Sequence, residues 1–295
     1  MRTLKVTRMR KALAAATVAA AAVAAGAGPA AAAPTGIYAD FKYCPVNAPN
    51  VVSCLYSETT SGEFKLGNAV VPINKKIVLQ GGVAQDPNTL ETTFVNAVGA
   101  PTLSRTPLSV PGGLTGLFDP QPGWNGILTE LVEAAINSVN GVTATAELVG
   151  PVQYNFANYV TGAGPAIVLP VRVKLDNPFL GDNCYVGSAS SPVTLRLTTG
   201  TTAPPPPNTP ITGSTGTITF GGDFGSLVTA TGFRLVDNAF SVPAASGCGP
   251  LLFRPLINAA VNLKEGFPSA AGKNRAILQG SLKQGARDSV VASGQ

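Results

Sequence analysis

Val171-Arg172-Val173-Lys174-Leu175-Asp176 and Val193-Thr194-Leu195-Arg196-Leu197-Thr198 decide the fold class. In both stretches apolar and polar residues alternate, so one side of an extended chain is greasy and the other wet. The same period of two recurs elsewhere. Ile37, Ala39, Phe41 and Tyr43 alternate with Tyr38, Asp40 and Lys42; Phe64 and Leu66 follow a turn expected at Ser61-Gly62. Ile218 with Phe220, and Phe233 with Leu235, continue it, while Lys76–Val83 reads as a more buried strand running into Gly81-Gly82. Short strands separated by Gly, Pro, Asn and Thr predict a mainly β chain, an antiparallel sandwich or barrel-like domain with two short helices.

The helices are expected at Asn125–Asn140 and Pro250–Lys264. In the first, Ile127, Leu128, Leu131, Ala135 and Val139 form the apolar stripe, with Asn125 as cap and Gly141 as stop. In the second the stripe is Leu252, Leu256, Ile257, Ala260 and Val261, and Pro255 should kink or shorten it. Leu131–Asn137 aligns with Leu256–Asn262, and a predicted strand follows each, at Thr143–Val149 and Arg275–Leu282. Ile77–Gly81 likewise echoes Ala276–Gly280. A duplication would leave such echoes, and alanine-rich helices also match by chance.

Residues 1–32 read as an export leader: Arg2, Lys5, Arg8, Arg10 and Lys11, then the alanine-rich run Ala12–Ala25, then small residues at Ala30-Ala31-Ala32 for cleavage. The formal charge of +5 resides wholly in that segment, so the remaining 263 residues are neutral and nucleic acid is not an expected partner. No later apolar run is long enough for a transmembrane anchor. The expected organisation is a leader over 1–32, one β-rich secreted domain over 33–282 with an exposed proline-rich loop at 203–210, and a flexible tail over 283–295. The expected location is extracellular, or loosely held in the cell envelope.

Four cysteines, Cys44, Cys54, Cys184 and Cys248, read as two disulfides in an exported chain. Of three connectivities, Cys44–Cys54 with Cys184–Cys248 is favoured. Cys44 ends one predicted strand and Cys54 lies in the next, and facing residues on antiparallel neighbours suit a disulfide. A metal site is disfavoured, because there is neither a C-x-x-C pair nor any histidine.

The lack of histidine also removes Ser-His-Asp triads, Cys-His dyads and imidazole ligands. No G-x-S-x-G, S-x-x-K, Walker or EF-hand pattern occurs, and Gly162-Ala163-Gly164 fails the dinucleotide fingerprint at Ile167. No cofactor and no catalytic residue is expected. Glycoside cleavage would need paired carboxylates. Glu130 and Glu133 share a helical side, but that side reads as solvated. Three residues remain as weak ligand candidates. Asp176 and Asp182 bracket Asn177–Gly181, where they could offer oxygens to Ca²⁺ but more simply act as turn residues. Trp124, after Pro122-Gly123, could stack on a sugar or plug the core. Tyr154, Phe156 and Tyr159 read as core, with Tyr154 and Phe156 on one strand face. Lys264–Asp288 holds five basic and two acidic residues, a weak lure for anionic wall polymers.

The run Leu169–Ser188 and the run Leu195–Thr202 leading into Pro204–Pro207 resemble a group of secreted proteins from high-GC Gram-positive bacteria with no established activity. The resemblance covers most of the mature chain. It implies export and a single recurring domain, and carries over no catalytic or binding residue. Three functional classes stand at this point. The first is an exported non-catalytic binding or envelope-associated protein, whose ligand is a wall glycan, a lipid or another envelope protein. The second is a carboxylate-based secreted hydrolase, and the third a membrane-active β protein.

Overall fold

A computed structural model describes residues 32–117 and 126–295. Trp124, the Asn125 cap and residues 1–31 of the expected leader lie outside the described residues. In chain order the strands are β1 (Val51–Leu66), β2 (Ala69–Pro72), β3 (Ile77–Gln85), β4 (Thr92–Asn96), β5 (Leu108–Ser109), β6 (Thr143–Leu148) and β7 (Gln153–Tyr154). They continue as β8 (Ile167–Asp176), β9 (Tyr185–Val186), β10 (Val193–Leu197), β11 (Thr217–Gly221), β12 (Leu227–Asp237), β13 (Ala245–Ser246) and β14 (Arg275–Ala286). The helices are α1 (Gly113–Leu117), α2 (Gly126–Val139), α3 (Phe156–Thr161), α4 (Arg254–Glu265) and α5 (Arg287–Ala292).

The strands form two antiparallel sheets packed as a sandwich, with no closed barrel. The first runs β11-β12-β14-β1-β3-β4, with β2 on β1; the second runs β13-β9-β8-β6-β5, with β7 and β10 on β8. The alternation seen in sequence sets which side chains meet. Leu169, Val171 and Val173 of β8 and Val193 and Leu195 of β10 face Phe64, Leu66, Ile77 and Leu278 of the first sheet. On the outer side of β8, Arg172 pairs with Glu147 at 2.8 Å and lies 4.1 Å over the Tyr185 ring.

The halves of the chain follow a matching path. Each begins with a long strand (β1, β8) paired antiparallel to the next strand but one (β3, β10), then passes through a strand, a helix and a final strand: β5-α2-β6 and β12-α4-β14. Within each triplet the final strand pairs its own first strand, and it also pairs the long strand of the other half, β6 with β8 and β14 with β1. The helix echo holds in burial as well. Leu131 and Leu256 are exposed, while Val132 and Ile257, and Ala135 and Ala260, are buried. β3 and β14, which carry the second echo, flank β1 on its two sides.

Several expectations are corrected. Gly36–Phe41 is a 3₁₀ turn and not a strand. With three residues per turn, Tyr38 and Phe41 fall on one side, and both are buried against the outer face of the first sheet beside Cys54 and Leu227. The disulfides join Cys44 to Cys54 and Cys184 to Cys248, with Cα separations of 5.5 and 4.2 Å. Cys44 reaches Cys54 from a loop lying over the sheet, not from a neighbouring strand. Gly82, Cys54, Gly285 and Leu227 form one row across four strands. A Cβ on Gly82 would stand 2.9 Å from Pro45, and one on Gly285 2.7 Å from Phe41. The two glycines therefore make the trough in which the cross-linked segment lies.

Ser61-Gly62 is no turn between strands. β1 runs through it with a bulge between Thr59 and Ser61, and β12 bulges between Thr231 and Phe233. Both bulges flank Gly280 of β14, where a Cβ would stand 1.8 Å from the Glu58 carbonyl oxygen. In α2 the buried residues are Leu128, Val132 and Ala135, while Ile127 and Leu131 are exposed. Pro255 does not kink α4 but starts it, in the first turn, where the missing N–H costs nothing. Leu252 and Leu256 of the expected stripe are exposed, and Ile257, Ala260 and Val261 are buried.

The expected flexible tail is also corrected. β14 continues to Ala286, and α5 buries Val290 in the small outer core with Tyr38 and Phe41. Lys283 pairs with Asp40 at 2.5 Å, Arg275 pairs with Glu63, and Arg287 donates to the Val46 carbonyl at 2.6 Å. Much of the basic excess of this segment is thus spent on the N-terminal third of the domain. The proline-rich loop is exposed as expected and turns at residues 206–208. The Asn208 amide pins it by donating to the carbonyls of Asn238 and Asn274 at 2.9 and 2.8 Å.

Candidate functional site

A groove of about 440 Å³ lies where β4, the last strand of the first sheet, runs beside β7 and α3. Its size falls in the range of small-ligand sites. Val152, Tyr154, Ala166 and Val168, all buried, form an apolar floor, and Phe94 adds a partly buried ring. Thr92, Thr93 and Gln153 are exposed along the rim. Asn155 caps α3: its Oδ1 accepts the Asn158 N–H at 2.9 Å, leaving its Nδ2 toward solvent. Asn158 donates through Nδ2 to the Pro165 carbonyl at 3.0 Å, which leaves its Oδ1 without a protein partner. Among the described residues, the hydroxyls of Thr92 and Thr93 and the Gln153 amide have no hydrogen-bond partner either.

The groove therefore offers both donors and acceptors, all uncharged, above an apolar floor. Its one titratable lining group is Tyr154, whose hydroxyl points inward and donates to Gln284 at 2.9 Å. Burial pushes that phenol far up from its ordinary pKa, so it stays neutral. Tyr159 is held in the same way, donating to the Thr215 carbonyl at 2.8 Å. Both tyrosines are core, as the sequence indicates. Phe156, expected to share a strand face with Tyr154, instead opens α3 and stacks on Tyr159.

The structure does not bring the sequence candidates together. Asp176 is engaged with Lys174 at 2.5 Å, Asp182 is exposed, and no group of three potential metal-ligating side chains forms among the described residues. Trp124 lies outside those residues. Glu130 and Glu133 are exposed on α2, as expected of a solvated face. Several other carboxylates are tied up: Glu58 with Lys76 at 3.2 Å, Glu147 with Arg172, Glu63 with Arg275, and Asp86 within its own turn. Asp237 is buried and accepts the backbone N–H groups of Arg196 and Ala239 at 2.6 and 2.9 Å; desolvation still outweighs them and raises its pKa.

Between the sheets lies a second cavity of only about 70 Å³, lined by aliphatic side chains with Ser104 and Thr106 at its margin. Those hydroxyls bond each other at 2.8 Å and the backbone of β3 and its approach. Ligand pockets measure about 300 Å³ or more, so this is a packing gap and not a lipid chamber. Among the described residues no helix is long and apolar enough to cross a membrane.

The groove residues Thr92, Thr93, Gln153, Asn155 and Asn158 escaped sequence reasoning. The only signal near them was the aromatic run at Tyr154–Tyr159, and threonines some 60 residues away give none. No protein-family model, curated protein or solved structure matches the chain.

Proposed function

We propose that the chain is an exported, non-catalytic binding or envelope-associated protein, and that its ligand is neutral and rich in hydroxyls, of the wall-glycan kind. The observation that carries this reading is the groove between β4 and α3. It has unsatisfied neutral amides and hydroxyls over an apolar floor, which suits the alternating polar edges and apolar faces of a sugar ring. The two disulfides and the neutral mature charge agree with work outside the cell, as does the resemblance to secreted proteins. A lipid ligand loses support from the smallness of the inter-sheet cavity. The hydrolase reading loses it from the engagement of the carboxylates described above.

The test is co-sedimentation of the mature protein with purified cell walls, alongside Thr93→Trp, which fills the groove, and Gln153→Ala. Retention of the native protein and its loss in Thr93→Trp are expected. Complete recovery of the native protein in the supernatant, or equal retention of the blocked variant, overturns the assignment.

A further inference from the structure

β11 is the outermost strand of the first sheet and pairs only with β12. Every other sheet margin among the described strands is short or attended. β13 and β5 have two residues each, β4 lies beside β7, the four-residue β2 lies beside β5, and β10 is covered by β12. β11 has none of the usual protections of an edge. Residues 211–222 contain no charged residue and no proline. Among the described residues, no backbone group of residues 217–221 has a hydrogen-bond partner outside β12. A row of free N–H and C=O groups is satisfied by another extended strand, so backbone chemistry identifies what covers it.

Side chains narrow the choice to one strand. Phe220, opposite Val228, lies in the row that runs through Gln284 to Leu55, on the core-facing side of the sheet. Ile218, on that same side, packs against the core, but Phe220 beyond it is 73% exposed. An antiparallel two-fold centred on Thr219 would set Phe220 directly across from the partner's Ile218, and Ile218 across from the partner's Phe220. An aromatic ring opposite a β-branched side chain is among the favoured cross-strand pairs. The same operation sets Thr219 against itself and meets no charge. The strand is thus complementary to its own copy, as a two-fold interface demands.

We infer that β11 pairs antiparallel with β11 of a second copy about a two-fold through Thr219, joining two seven-stranded sheets into one. The contact is small, so the dimer is of the weak, concentration-dependent kind.

Sedimentation velocity on the mature protein from about 1 to about 200 µM tests it. The native protein should shift from monomer to dimer across that range. Thr219→Lys places two ammonium groups opposite each other on an exposed position and should raise the dissociation constant more than about tenfold, with an unchanged melting profile. Hydrogen exchange supplies the second readout. Those amides of residues 217–221 that point away from β12 should slow as concentration rises in the native protein and not in Thr219→Lys. A native protein that stays monomeric throughout, or a Thr219→Lys variant that dimerises equally well, overturns the inference. So does a dimer whose 217–221 amides exchange as fast as in the monomer, because another surface then forms it.

Discussion

Glu265 closes the buried stripe of α4, following Ile257, Ala260 and Val261, and is 3% exposed. Burial raises its pKa from 4.5 to about 7, against a smaller opposing pull from Lys264. The other described residues of the shallow pocket that Glu265 helps line (Asn68, Ala69, Val70, Val110, Pro111 and Gly116) carry no charge. The consequence for stability has a definite sign. An unfolded chain releases this proton near pH 4.5, and the folded protein holds it to about pH 7. In that window the native state binds more protons, so stability falls as pH rises. The gap of about 2.5 pKa units corresponds to about 3 kcal/mol of stability that is fully present below pH 4 and fully lost above pH 7. Glu265→Gln removes the ionisation and keeps the shape. Its buried amide adds an offset that does not vary with pH, so the slope, not the height, is the measurement. Denaturant unfolding with disulfides intact, at intervals from pH 4 to pH 9, should give curves that diverge by about 3 kcal/mol in favour of the variant as pH rises. Near the thermal midpoint that equals about 6 to 12 °C for a domain of this size. Asp237 also titrates from a raised pKa, but it contributes equally to both proteins. Parallel curves for native protein and variant would refute the reasoning.

Removing the long-range disulfide by Cys184→Ala with Cys248→Ala should cost up to about 4 kcal/mol, and removing Cys44–Cys54 up to about 3, since the enclosed loops differ in length; urea midpoints check the order. Asn274 is fully buried; its Oδ1 accepts the Gly67 N–H at 2.8 Å and its Nδ2 donates to the Phe240 carbonyl at 2.9 Å. Asn274→Ala strands both groups and should lose about 2 to 4 kcal/mol in the same assay. Gly280→Ala pushes a methyl into the Glu58 carbonyl between two bulged strands, and a loss of at least about 2 kcal/mol is expected, whereas Gly232→Ala, with open space around it but a φ of +71°, should lose only the left-handed backbone strain of about 1 kcal/mol.

Periodicity carried the β architecture because a strand's two faces are written directly in neighbouring residues: Val171, Val173 and Leu175 needed no partner to declare a side. It misread Ile37–Tyr43 because Tyr38 and Phe41 sit three apart, and an aromatic-rich segment satisfies a period of two and of three together. In α2 it placed Leu128 and Ala135 rightly in the buried stripe but added Ile127 and Leu131 and left out Val132, because these apolar residues crowd more than one side of the helix. Which stripe turns inward depends on what it packs against. The disulfide pairs were legible, but the route of Cys44 over the sheet was not, since the glycines that make room for it, Gly82 and Gly285, lie far apart in the chain.

The sequence alone determined the alternating strands, an even set of four cysteines suited to two disulfides, and a chemistry without imidazole. Each depends on residue identity or on neighbours a few positions apart. Tertiary structure decided the rest: the groove joining Thr92 and Thr93 to Gln153 and Asn158, the burial of Glu265, and the bare edge at β11. Those properties arise where distant segments meet or fail to meet. Solvent exclusion and unsatisfied backbone groups belong to the packed sandwich and to no local stretch of it.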